Sequence, residues 1–206
     1  MIQAALVPVM RMTPGQGRDL PPAQRVRNQR RAAREACVGS ARRLGLKLAE
    51  LAQDEAGVPL PVDGWHWSVS HTRAVVCGVV HAAPVGIDVE RIQPRSQAVV
   101  RASAGREEYD VTGGFSWRSF TRVWSAKEAV LKKAGCGLTE LSRCTIVSSP
   151  SPVAMVVHHR DRLHHVHQSL QHGHVVSITA DGSDDAEIHW DWWELQSSGQ
   201  QEEKPC

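Results

Sequence analysis

Val85-Gly86-Ile87-Asp88-Val89-Glu90 alternates apolar residues with small or acidic ones. In an extended strand successive side chains point to opposite faces, so Val85, Ile87 and Val89 share one face while Gly86, Asp88 and Glu90 share the other. Two carboxylates at i and i+2 stand roughly 7 Å apart at their roots, close enough for their oxygens to converge on a hard divalent cation such as Mg²⁺. Gly86 leaves room for another group to approach the backbone. Taken alone, the pattern equally describes an amphipathic strand with a solvated acidic face.

The segments just upstream place this strand in a sheet. Trp65 to Ser70 and Ala74 to His81 read as two more short strands, separated by His71-Thr72-Arg73 and by Ala82-Ala83-Pro84. Connections this short predict antiparallel neighbours. The middle strand is apolar on both faces and is predicted to be central and covered on both sides. Further upstream, Pro21-Pro22 favours a helix start. From Ala23 to about Leu51, Val26, Ala33, Cys37, Ala41, Leu44, Leu48 and Leu51 mark one helical face, with Gly39 and Gly45 as weak points. The other faces carry Arg25, Arg27, Arg30, Arg31, Arg34, Arg42 and Arg43, which suit either a solvated surface or docking of a phosphate or acidic partner.

Downstream, Pro94 and Ser96 open a helix toward Tyr109 that is interrupted near Gly105. Ser116 reads as the N-cap of a third helix and Gly135 as its end. Cys144–Val147, Val153–Val157, His174–Thr179 and Glu187–Trp193 read as short strands, the last with Trp190, Trp192 and Trp193 packing as an edge. The order predicts an α+β fold of two similar halves, residues 1–93 and 94–195, each a long helix preceding a small antiparallel sheet. A polar tail, 196–206, is predicted to be disordered.

The totals narrow the class. A chain of 206 residues is long enough to bury a core without staples. Its opening, Met1 to Val9, is apolar but too short and too uncharged for a secretory signal, and is predicted to be a buried strand. Without a run of eighteen apolar residues, no membrane partner is expected. A formal net charge of +2 is too small for a general nucleic-acid binder. Five scattered cysteines, with no C-x-x-C pair, fit structural thiols in a reducing cytoplasm. The eleven histidines cluster around His158-His159, His164-His165, His167, His172 and His174; their irregular spacing favours adventitious loop histidines over a transition-metal site.

The third helix carries the residues that answer the acidic strand. Glu128 and Lys132 are four apart and share a face. As a surface ion pair they contribute only a few tenths of a kcal/mol, ~0.3–0.5. Set against Asp88 and Glu90, they supply a third carboxylate and a cation, a combination suited to Mg²⁺-assisted chemistry at a pyrophosphate.

Val85-Gly86-Ile87-Asp88 followed by Trp124-x-x-Lys127-Glu128-Ala129-x-x-Lys132 resembles the paired signature of the phosphopantetheinyl transferases, in their larger surfactin-type class. Trp67-Ser68-Val69-Ser70-His71 resembles a third element of that family, and the likeness spans residues 23 to 180. The resemblance implies a pseudo-dimer of two α+β halves with the active site at their junction. It implies coenzyme A as co-substrate, its pyrophosphate held by Mg²⁺, with Mn²⁺ as a substitute. Asp88, Glu90 and Glu128 would bind the metal, and Glu128 would help deprotonate a serine of an apo acyl or peptidyl carrier protein. Lys132, with Lys127, would meet the pyrophosphate. Ser70 and His71 would contact coenzyme A phosphate, and Arg31 and Arg34 are favoured among the arginines for the 3′-phosphate. The products implied are the holo carrier protein and adenosine 3′,5′-bisphosphate, and a single chain carrying both halves of the site suits a monomer. Two other readings fit the same residues: a Mg²⁺-dependent pyrophosphate hydrolase, and a non-catalytic module binding coenzyme A or an acidic protein.

Overall fold

The computed structural model describes residues 8–12, 21–48, 50–181 and 188–193. Two sheets and four helices make up an α+β architecture. The first strand, β1 (Val9–Met12), precedes helix α1 (Pro22–Arg43). Strands β2 (His66–His71), β3 (Val75–His81) and β4 (Val85–Arg91) follow. Then come helices α2 (Gln97–Ser103), α3 (Arg106–Asp110) and α4 (Trp117–Ala134). A 3-10 turn, Leu138–Arg143, leads into β5 (Thr145–Ser151), β6 (Ala154–His159), β7 (Arg162–Gln171) and β8 (His174–Ala180), and β9 (Asp191–Trp193) is the last described strand.

The first sheet runs β2-β3-β1-β9 and the second β4-β8-β7-β6-β5. This corrects the expectation that β2, β3 and β4 are antiparallel neighbours. β2 and β3 pair so, but β4 pairs antiparallel with β8, Asp88 opposite Ser177. The reason lies in the alternation of β3 and β4. Val75, Cys77 and Val79 of β3 join Val85, Ile87 and Val89 of β4 and Val176 and Ile178 of β8 in one buried cluster. β4 therefore buries its apolar face against the first sheet while hydrogen-bonding into the second, and β3 is buried along its whole length as the sequence predicts.

The helices cover the remaining faces, each over a glycine. A Cβ on Gly78 of β3 would come within 2.4 Å of the Cys37 amide nitrogen in α1. One on Gly86 of β4 would come within 1.9 Å of the Ala129 carbonyl oxygen in α4. The clearance beside Asp88 is thus used by helix α4. Small residues on α1, Ala33, Ala36, Cys37, Ser40 and Ala41, permit the matching approach to β3. α1 stops eight residues before the expected Leu51: Arg42 and Arg43 fill its last turn and Gly45, at φ +72°, reverses the chain. Leu51 still reaches the core, alongside Cys37, Trp67 and Val80. The caps of α4 are as expected: Ser116 Oγ accepts from the Ser119 amide at 3.0 Å, and Gly135 closes the helix at φ +66°.

Four other expectations remain, and the described residues bear on some of them only in part or not at all. The opening strand begins at Val9, with residues 1–7 outside the described region. The tail 196–206 and the start of the strand expected from Glu187 also lie outside it. The histidine-rich segment is not loop: His158 and His159 end β6, His164, His165 and His167 lie in β7, and His174 opens β8.

Candidate active site

Strand β4 presents Asp88 and Glu90 toward α4, whose Glu128 and Lys132 come down beside them because Gly86 lets that helix lie close. β2, the edge of the first sheet, runs along β4: Ser68 Oγ accepts the Ile87 amide at 3.1 Å, and Ser70 Oγ donates to Asp88 Oδ1 at 2.8 Å. Lys132 Nζ donates to the same Oδ1 at 2.7 Å. The other oxygen, Asp88 Oδ2, is buried with no hydrogen-bond partner. A buried, unpartnered carboxylate oxygen is costly unless something positive meets it.

These residues line a cavity of 540 Å³. Asp88, Glu90, Glu128 and Lys132 from β4 and α4, Ser70 and His71 from β2, and Arg30 and Arg34 from α1 are among its lining residues. Arg34 also donates to Gln53 Oε1 at 3.2 Å. Two sequence-derived candidates lie elsewhere. Arg31 points out of the cavity, exposed and 3.8 Å from Glu35, because the helical period puts residues 30 and 34 on one face and residue 31 a hundred degrees away. Arg30, not Arg31, partners Arg34. Lys127 is 2 % exposed, paired with Glu108 at 2.7 Å and donating to the Ser103 carbonyl. It fastens α4 to α2 and α3 and does not line the cavity.

Electrostatics sort the carboxylates. Burial, then Asp88 and Glu90, push Glu128 up to about 7 against the opposing pull of Lys132 and a hydrogen bond from Trp124. Glu90 is also raised, by burial first and by Asp88, although Arg95 at 2.7 Å and Trp124 oppose the shift. Lys132 loses charge stability to burial, but Asp88 and Glu128 outweigh this and hold its ammonium above the usual value. His71 is lowered by burial, then by Lys132 and Arg30, with Asp88 opposing the shift.

Trp124 is the participant that motif reading left without a role. It ends a line of rings running from Tyr109 through Phe115, Trp117 and Phe120, and it draws the carboxyls of Glu90 and Glu128 down against the larger push of burial. Its position i−4 from Glu128 on α4, one turn away, is the sequence signal for this role.

Residues 84–181 match the model of the 4′-phosphopantetheinyl transferase superfamily. Among curated proteins, the chain is 35% identical over 82 residues to the 4′-phosphopantetheinyl transferase psf-1 of Bacillus pumilus, covering 38% of this chain and 35% of that protein. It is 30% identical over 78 residues to the 4′-phosphopantetheinyl transferase ffp of Bacillus subtilis, covering 36% of this chain and 35% of that one. It is 28% identical over 98 residues to the 4′-phosphopantetheinyl transferase HetI of a Nostoc strain, covering 44% of this chain and 41% of HetI. The chain thus spans about a third of the length of the first relatives it matches. The family match takes in Asp88, Glu90, Glu128 and Lys132, while Arg30, Arg34, Ser70 and His71 lie outside it.

Proposed function

We propose, from the match of residues 84–181 to the 4′-phosphopantetheinyl transferase superfamily, that the chain transfers the 4′-phosphopantetheine group of coenzyme A to a serine of an apo acyl or peptidyl carrier protein. The observation that carries this reading is the meeting of Asp88, Glu90, Glu128 and Lys132 with Arg30 and Arg34 in the lining of one 540 Å³ cavity. Carboxylates for a metal and several cations in one cavity suit a molecule with a pyrophosphate and a further phosphate.

Asp88, Glu90 and Glu128 fit Mg²⁺ or Mn²⁺: all are oxygen donors, and Asp88 Oδ2 is buried and unpartnered while Oδ1 is held by Ser70 and Lys132. Bound there, the cation offsets charge on the pyrophosphate. The rest falls to the protein. Arg30 and Arg34 hold the 3′-phosphate, and Ser70 and His71 contact the phosphates nearer the strand. Lys132 balances charge on the group in transit. Glu128, the carboxylate on α4 beside Lys132, accepts the serine proton. The serine oxygen forms its bond to the phosphorus nearer the pantetheine as the bond to the other phosphate breaks, leaving holo carrier and adenosine 3′,5′-bisphosphate.

The same reading makes the chain a monomer of two α+β halves, 1–93 and 94–195, acting in the cytoplasm. The repeated helix-over-glycine contact at Gly78 and Gly86 supports the halves. The pairing of β4 with β8 and of β1 with β9 ties them together. No helix among the described residues is long and apolar enough to cross a membrane.

Incubation with coenzyme A, Mg²⁺ and several unrelated apo carriers, read by intact mass, is expected to add one phosphopantetheine arm to at least one carrier. Failure with every carrier overturns the proposal. Release of adenosine 3′,5′-bisphosphate at the same rate without a carrier would make the protein a hydrolase instead.

A further inference from the structure

A second gathering of donor atoms stands where α4 ends. Cys136 follows the terminating Gly135, Glu140 sits on the 3-10 turn Leu138–Arg143, and His159 ends β6. One ligand atom from each lies within 4.8 Å of the other two. His159 is 1 % exposed, and its Nε2 is 2.9 Å from Glu140 Oε2. Cys136 also lines a 380 Å³ cavity that shares Gln53, Val69, Glu128 and Lys132 with the candidate active site. The cluster therefore has three protein donors and open space beside the sulfur.

We propose that Cys136, Glu140 and His159 form a binding site for a borderline-soft divalent transition ion of the Zn²⁺ class, with a fourth position open toward the 380 Å³ cavity. A mixed sulfur, nitrogen and oxygen donor set selects such ions over Mg²⁺, and the all-oxygen set at Asp88, Glu90 and Glu128 has the opposite preference. Three protein ligands with an open fourth position mark an exchangeable site, not a closed structural one. A tetrahedral ion places its donors about 3.3–3.8 Å apart, so His159 and Glu140, at 2.9 Å, need to separate slightly while the spacing to the Cys136 sulfur, within 4.8 Å, shortens by at most about 1 Å. On binding, the Cys136 thiol gives its proton to solvent. Thiolate and carboxylate then neutralise the dication, with a neutral imidazole as third ligand.

Arg160 is the competitor. It pairs with both oxygens of Glu140, with Nε 2.8 Å from Oε2, and so neutralises that carboxylate in the metal-free protein. The ion must take Oε2 from Arg160, which makes Arg160 a brake on affinity. The site stands independently of the proposed transfer reaction, since none of its three ligands takes part in that chemistry.

The test is a titration of the full chain with Co²⁺, in excess Mg²⁺ to saturate all-oxygen sites, read by absorption. One equivalent is expected to bind with a sulfur-to-metal charge-transfer band, and Zn²⁺ is expected to displace it. The band is expected to vanish in Cys136→Ser and Glu140→Gln, to persist in Cys206→Ser, and to appear at several-fold lower Co²⁺ in Arg160→Ala. No band in the parent protein, a band surviving Cys136→Ser, or weaker binding in Arg160→Ala would each overturn the proposal. Cys136 is half-buried on a turn, so Cys136→Ser is expected to keep the parent circular dichroism, and the loss of the band then reports the site itself.

Discussion

Helix α1 sits on β3 at Gly78, and helix α4 sits on β4 at Gly86; in both places a Cβ would drive into helix backbone. What lies between helix and sheet differs. α1 buries Ala33, Ala36, Cys37, Ser40 and Ala41 and keeps Arg30 and Arg34 exposed at the cavity rim. α4 buries Arg122, Ser125 and Lys127 and faces the buried Asp88. One contact is dry, with its charges in water. The other holds its charges inside, where loss of solvent displaces pKa values and leaves Asp88 Oδ2 without a partner. The same packing device thus leaves exposed cations on one side and buried charges on the other, and a change that makes the two contacts respond alike would break the contrast.

The largest effect is expected at the glycines. Gly86→Ala puts a methyl 1.9 Å from a carbonyl oxygen, against 2.4 Å from an amide nitrogen for Gly78→Ala. Both exceed the ordinary overpacking cost of about 1–3 kcal/mol, and Gly86→Ala is expected to be the worse, losing the folded state as followed by urea unfolding. If Gly86→Ala proved the milder variant, α4 would not be held to β4 as described.

Lys127→Ala comes next. It leaves Glu108 without its buried partner, so a loss of about 3–5 kcal/mol is expected, with the KM for coenzyme A unchanged in the protein that remains folded. A raised KM with intact stability would return Lys127 to the coenzyme A site.

The polar interior of the second sheet should also show in acid. Burial first, then Lys133, lowers the His164 pKa to about 4 from an ordinary 6.5. The folded value is the lower one, so the contribution is fully present above pH 6.5 and is lost as pH falls toward 4. His164→Gln is expected to remove up to about 3 kcal/mol of that fall, measured as the pH dependence of the urea midpoint. An unchanged slope would mean that His164 titrates alike in the folded and unfolded chain.

The smallest effect belongs to the rim of α1. The double variant Arg30→Ala, Arg34→Ala is expected to raise the KM for coenzyme A about tenfold, ~1.4 kcal/mol, with kcat nearly intact. A fall in kcat at unchanged KM would place these arginines at the reacting phosphorus.

The acidic strand and the α4 face were legible because each obeys a simple period, two for Asp88 and Glu90 and four for Glu128 and Lys132. The caps of α4 were equally plain. Sheet membership was not: nothing local to Val85–Glu90 distinguishes pairing with β3 from pairing with β8, and the choice is made by packing across the whole molecule. β7 was missed because its inward face is His164, Val166 and Gln168 in place of an apolar alternation. Gln168 belongs there only because Arg122 donates to it at 2.8 Å and it donates to Ser177 Oγ at 2.9 Å. Lys127, a motif lysine beside Glu128, looks like a ligand contact until Glu108, nineteen positions earlier, is seen to pair with it. The Glu140 beside His159 was invisible for the same reason, a partner brought close only by the turn that follows α4.

The most direct measurement is single-turnover transfer from coenzyme A to an apo carrier that the parent protein modifies, comparing it with Glu128→Gln by intact mass at saturating coenzyme A and Mg²⁺. The parent is expected to convert the carrier fully, while Glu128→Gln, isosteric but unable to accept the serine proton, stays folded and converts none in the same time. Near-parent conversion by Glu128→Gln would contradict the site built on β4 and α4.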